Sequence, residues 1–194
     1  MLLGDAYISK PRPAIGRRGG TLEITHTVRH REYLEYKRDL LQHWQHTPLV
    51  IREKVNTAGR QQVRLSTRQR PLYRLLQKAF YKGGQRTVSP KLLGYLDRRA
   101  IAIWFMDDGS LSAKKKDGRI KAFDLTLCTC LPVEQNLLII DYFREVWGVE
   151  WKLLKQRSHY MLRMGTKEGR KWARLIEPEC VVECMRYKIN PLLV

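Results

Sequence analysis

Residues 21–28 alternate Leu22, Ile24 and Val28 with Glu23, Thr25 and Thr27, the two-residue period of a half-buried strand. The stretch from Ala6 to Arg12 reads as a partner strand ahead of it. A helical pattern then runs from about Glu32 to Trp44. Strands are expected over Leu49 to Val55 and Gln61 to Thr67, joined by the turn-forming Asn56-Thr-Ala-Gly59. A helix opened by Pro71 and running to Tyr81 follows.

The same programme repeats. Strands are expected near Ser110 to Lys114 and Ile120 to Cys130 around a charged turn, Lys115-Lys-Asp-Gly118. A helix opens at Pro132 and stops at Gly148 after Trp147. Strands over Val149 to Arg157 and His159 to Met164, then a helix from about Lys167 to Ile176, complete the second pass. With an apolar helix ahead of each pass, both halves read helix, strand, strand, helix, strand, strand, helix. The expected fold class is α+β, with halves 1–96 and 97–194 related by an internal pseudo-two-fold.

Each pass starts at an apolar run that ends in a carboxylate: Met1-Leu-Leu-Gly-Asp5 and Ile101-Ala-Ile-Trp-Phe-Met-Asp107-Asp108-Gly109. Each ends with a basic residue ahead of a proline, in Arg86-Thr-Val-Ser-Pro90 and Lys188-Ile-Asn-Pro191. Asp5 to Arg86 spans 81 positions and Asp108 to Lys188 spans 80. Apolar helices packed side by side, with small Gly4 and Ala102 allowing close approach, would bring their terminal carboxylates together.

Charge gives those carboxylates a meaning. The chain of 194 residues carries 37 Lys and Arg against 19 Asp and Glu, a net charge of +18. That excess selects a polyanionic partner, and nucleic acid is a commoner one than anionic lipid. A structural RNA-binding protein would be equally basic but would have no use for duplicated carboxylates. The longest apolar run, Ala100 to Met106, is too short to cross a bilayer, so no membrane partner is expected. Four cysteines, at 128, 130, 180 and 184, depart from the usual zinc spacing and read as reduced thiols of an intracellular protein. The five histidines form no metal pattern with a nearby carboxylate, and no Walker-type phosphate loop is present.

Leu2-Leu-Gly-Asp5-Ala-Tyr and Trp104-Phe-Met-Asp107-Asp108-Gly resemble the two signature motifs of LAGLIDADG homing endonucleases, in the single-chain, two-motif, intron-encoded branch. The resemblance implies two αββαββα halves packed through paired motif helices, each with a curved antiparallel DNA-binding sheet. It implies site-specific cleavage of both strands of a long duplex target in support of intron homing, by a monomer that uses Mg²⁺, with Mn²⁺ as a substitute. Asp5 and Asp108 would then be catalytic metal ligands, aided by the backbone near Gly4 and Asp107. Arg86 and Lys188 would be the basic active-site residues.

The DNA-binding face would include Glu23, Gln62, Arg64, Ser66 and Arg68 in the first half. The second half would offer Asp124, Lys152, Lys155, Arg157 and Arg163, because such side chains match base edges in the major groove. The family also contains intron maturases, so an RNA-binding splicing factor without cleavage, with intron RNA as partner, is the alternative. A bacterial cytoplasm or an organelle, mitochondrion or chloroplast, would be the compartment. One departure stands out: the first motif leaves about one helical turn before Asp5, where the family's helix extends further upstream.

Overall fold

The computed structural model describes residues 1–9, 20–157 and 159–193. The expected strand residues Lys10 to Arg12 therefore lie outside the described residues. The chain forms two compact units, one made of Leu2 and Gly4–Gly84, the other of Met1, Leu3 and Gln85–Val194. Residues 85–96 thus group with the second unit.

The N-terminal unit is one antiparallel sheet with helices. Its strands are β1 (Ala6–Ile8), β2 (Leu22–Thr27), β3 (Ile51–Val55) and β4 (Gln61–Ser66), in the order β1-β2-β4-β3. Alternation decides the two faces: Ala6, Ile8, Leu22, Ile24, Val63 and Leu65 are buried, while Glu23, Thr25, Gln62 and Arg64 point the other way. Helix α1 (Arg31–Gln42) buries Tyr33, Leu34 and Lys37. Helix α2 (Pro71–Phe80) starts with proline at its first position. The β3–β4 turn is held by the Asn56 side chain, which accepts from the Ala58 and Arg60 amides at 3.0 and 2.9 Å.

Leu2 to Asp5 form consecutive turns, not the expected motif helix.

In the C-terminal unit a short helix, Pro90–Leu93, leads into α3 (Arg98–Asp108), capped by Asp97, whose side chain accepts from the Ala100 amide at 2.7 Å. Ile101 to Met106 are all buried, as an all-round apolar helix requires. Gly109 ends α3 for a steric reason: a Cβ there would lie 2.4 Å from the Phe105 carbonyl oxygen and 2.5 Å from its ring.

The sheet that follows has strands β5 (Gly109–Lys116), β6 (Arg119–Leu127), β7 (Lys152–Gln156) and β8 (His159–Met164), in the order β5-β6-β8-β7. The two sheets share one topology. The expected charged turn shrinks to Asp117 and Gly118, with φ of 52° and 70°, the left-handed pair that a two-residue hairpin needs. Helices α4 (Val133–Trp147) and α5 (Thr166–Ile176) follow β6 and β8.

An aromatic cluster forms this unit's core. The Trp172 ring meets Phe143 at 5.1 Å, Trp151 at 5.2 Å and Phe105 at 5.6 Å between centroids. The N-terminal unit has one Trp, Trp44, and it is exposed. No helix of the described residues is long and apolar enough to cross a membrane.

Candidate functional site

Asp5 sits at the end of the turn segment that feeds β1, with its side chain 36% exposed. Within the same unit, His26 of β2 brings its Nδ1 to 3.5 Å from Asp5 Oδ2. His26 is buried, and its Nε2 lies 3.1 Å from the Nζ of Lys37, which is itself fully buried on α1. The Tyr33 ring packs against both, 5.2 Å from the His26 ring and 4.2 Å from Lys37 Nζ. The expectation that the histidines carry no site is therefore corrected for His26: strand pairing brings it beside a motif carboxylate. One signal was legible. Lys37 occupies the buried stripe of α1 with Tyr33 and Leu34, and a lysine on that stripe needs a partner.

Asp108 is the last residue of α3 and is half-buried, with Asp107 before it. Its carbonyl accepts from the Cys128 amide at 3.1 Å, which ties the helix end to the end of β6. Lys188 donates to the Met106 and Asp107 carbonyls at 2.5 and 2.9 Å. Arg86 donates to the Leu3 carbonyl at 2.6 Å. Leu3 precedes Asp5 by the same step as Met106 precedes Asp108, so each basic residue grips its own motif just ahead of the carboxylate. A cation on the last carbonyls of α3 is favoured by the helix dipole. Each motif therefore ends in a hard oxygen donor of the type that suits Mg²⁺, close along the chain to a fixed positive charge.

The sheets present the remaining candidates. In the N-terminal unit Gln62, Arg64 and Ser66 of β4 share a face with Glu23 of β2, and Arg64 forms an ion pair with Glu23. Register adds residues that the sequence reading left out. Arg52 pairs with Arg64, Lys54 with Gln62, and Tyr7 with Glu23, so all three belong to this face. Arg68 is exposed beyond the end of β4.

In the C-terminal unit Asp124 accepts from Arg163 at 2.7 Å and from Lys114 at 3.1 Å. Burial pushes its carboxyl upward, but the bonds from Arg163 and Lys114 outweigh this and hold it below the usual carboxylate range. Glu23 and Asp124 are thus both engaged by an arginine of the neighbouring strand. Lys152 pairs with Arg163 and shares its face, whereas Lys155 pairs with Tyr160 and lies on the opposite side of β7. Arg157 lies in the turn after β7, with φ of 53°, and not in the strand expected for it.

Cys128 and Cys130 approach to 3.7 Å between sulfurs, a weak hydrogen bond and not a disulfide, and none of the four cysteines is in a disulfide. Burial pushes the Cys180 thiol up to about 12.

Residues 1–172 match the model of the LAGLIDADG DNA endonuclease family. The chain belongs to that family. Among solved structures, the LAGLIDADG chain resembles the homing endonuclease I-WcaI bound to its DNA recognition sequence, with a TM-score of 0.80 at 21% identity, covering 97% of this chain and 82% of that one. At this identity the likeness shows the fold. A protein named "Probable intron-encoded endonuclease 1" from Wickerhamomyces canadensis is 22% identical over 191 residues, covering 97% of this chain and 80% of that protein. Protein RecA of Mycolicibacterium flavescens is 28% identical over 205 residues, covering 98% of this chain. The LAGLIDADG chain spans 44% of the length of that RecA relative.

Proposed function

We propose that the chain is a site-specific endonuclease that hydrolyses one phosphodiester on each strand of a long double-stranded DNA target, with Mg²⁺ as its working ion and Mn²⁺ as a substitute. We further propose that it acts as a single chain in support of intron homing. The observation that carries this reading is the duplicated motif end. Arg86 on the Leu3 carbonyl and Lys188 on the Met106 and Asp107 carbonyls hold a positive charge beside each carboxylate-bearing segment.

A divalent ion, when bound, polarises the phosphate and lowers the pKa of an attacking water. Asp5 and Asp108 supply the anionic oxygen donors such an ion needs. Arg86 and Lys188, pinned by their backbone bonds, neutralise charge that builds on the phosphate with little reorganisation. The net charge of +18 and the basic sheet residues Arg52, Lys54, Arg64, Lys114, Lys152 and Arg163 support a duplex partner.

The test is incubation of the purified chain with Mg²⁺ and a randomised duplex library, beside an Asp108→Asn control, with sequencing of the ends produced. Recurrent Mg²⁺-dependent breaks that vanish in the control support the reading. Binding without breaks would replace it with the RNA-binding maturase reading.

A further inference from the structure

Lys37 is the best-hidden charge among the described residues: it is 0% exposed on α1, where a methionine or leucine would fill the same stripe without desolvating an ammonium. What the lysine contacts is specific. Its Nζ lies 3.1 Å from His26 Nε2 and 4.2 Å from the centre of the Tyr33 ring. An ammonium has three donors and no acceptor, so His26 Nε2 takes the accepting role. In a neutral imidazole the proton then resides on Nδ1, and His26 Nδ1 is the atom that faces Asp5 Oδ2 at 3.5 Å. The Tyr33 ring at 5.2 Å and the His30 ring at 6.2 Å pack on the imidazole and restrict its rotation.

The second unit solves the corresponding place differently. Thr129 follows Asp108 by the same number of residues as His26 follows Asp5. Its hydroxyl donates to Asn136 Oδ1 at 2.6 Å, and the Asn136 amide donates to the Leu131 and Pro132 carbonyls at 2.7 and 3.1 Å. That pair is neutral and returns to the backbone.

We propose that Lys37 and His26 are positioning residues for Asp5. Lys37 fixes the His26 tautomer, His26 then aims a donor at the Asp5 carboxylate, and cleavage at the Asp5 end depends on a buried lysine that the Asp108 end does without. The inference rests on the endonuclease reading above, and it adds an asymmetry that reading does not contain.

Two measurements on the 194-residue chain test it. Nitrogen-15 NMR of the imidazoles, with His26→Asn used for assignment, is expected to show His26 as the Nδ1–H tautomer, and Lys37→Met is expected to lose that preference. An Nε2–H tautomer in the unmodified protein overturns the proposal, whether or not the protein cuts DNA.

The second measurement is single-turnover cleavage of a target duplex labelled separately on its two strands. Lys37→Met is expected to slow one strand by about 10–100-fold, the usual scale for groups that orient a metal ligand. The other strand is expected to stay within about twofold, so that nicked product accumulates while DNA binding is retained. His26→Asn, which keeps a donor near the Nδ1 position, is expected to recover most of the lost rate, and His26→Leu is not. Equal slowing of both strands, or no slowing, overturns the asymmetry. Absence of any cut by the unmodified chain counts against the endonuclease reading instead, and the tautomer measurement still decides the positioning claim.

Discussion

The two units share a strand order and a helix placed after the second strand, yet they treat the buried polar group behind that strand in opposite ways. The N-terminal unit places His26, Lys37 and Tyr33 there, a charged and aromatic set that extends to Asp5. The C-terminal unit places Thr129 and Asn136 there, a neutral set closed by the backbone of Leu131 and Pro132. One backbone plan therefore tolerates either solution, provided that each buried donor and acceptor finds a partner. Their energetics differ. Burying an ammonium costs several kcal/mol before any contact is made, whereas a satisfied amide pair is close to neutral. A charge retained at such cost points to chemistry, and a neutral pair points to the rigidity of a loop.

The strongest way to break the comparison is to remove the carboxylates themselves. Asp5→Asn and Asp108→Asn are each expected to reduce cleavage on the order of 10³-fold, since loss of a metal ligand removes several kcal/mol of transition-state stabilisation. Filter binding to the target should persist in both. Full activity in either variant would show that its motif end takes no part in the chemistry.

Core truncation tests whether the units differ in what holds them together. Trp172→Ala removes the ring shared by Phe105, Phe143 and Trp151, and is expected to destabilise the C-terminal unit by about 3–5 kcal/mol. Hydrogen exchange should open amides of α3, β6 and α5, while those of β2 and β4 stay protected. Equal loss of protection in both sheets would mean that the units do not unfold separately.

The polar clusters give a smaller and more pointed contrast. Asn136→Leu strands the Thr129 hydroxyl and the Leu131 carbonyl, while the Pro132 carbonyl keeps the backbone amide of residue 136, so urea unfolding should show a loss of about 2–3 kcal/mol. Lys37→Met replaces a buried charge with an apolar chain of similar length, and its urea midpoint should stay level or rise. A large stability loss in Lys37→Met would show that the lysine is structural first.

The smallest effect expected concerns Asp124. Its carboxyl is held below the ordinary value by Arg163 and Lys114, so the stabilisation is present above the unfolded-state pKa and is lost as pH falls through the lower, folded one. Asp124→Asn should cost about 1 kcal/mol at neutral pH, a figure limited by the partial exposure of Arg163 and Lys114. The gap between variant and unmodified protein should close below about pH 4, the unfolded carboxylate range. A gap that persists at pH 2 would place the effect in packing instead of charge.

Much of the architecture was legible from local signals. The alternation of residues 21–28, the proline that opens α2, and the Gly148 that ends α4 in the left-handed region are all statements about neighbours in sequence. The duplicated spacing of Asp5 to Arg86 and Asp108 to Lys188 was legible too, and both basic residues bond their own motif. At the first motif, an apolar run ending in Asp predicts a helix, and the structure instead forms consecutive turns over Leu2 to Asp5. Lys155 was assigned by charge alone, and strand register puts it on the other face from Lys152.

The sequence by itself determined the element order, the repeat, the basic surface and the two acidic motif ends, because each arises from periodicity, composition or spacing along the chain. Only the tertiary structure decided that Glu23 and Asp124 are engaged by Arg64 and Arg163. It alone decided that Tyr7, Arg52 and Lys54 join a basic face, and that a buried lysine, a histidine and Asp5 form one line of contacts. Those facts depend on strand register and on which helix covers which strand. Such pairings join residues many positions apart, and a one-residue slip in register would undo them without altering a single local signal.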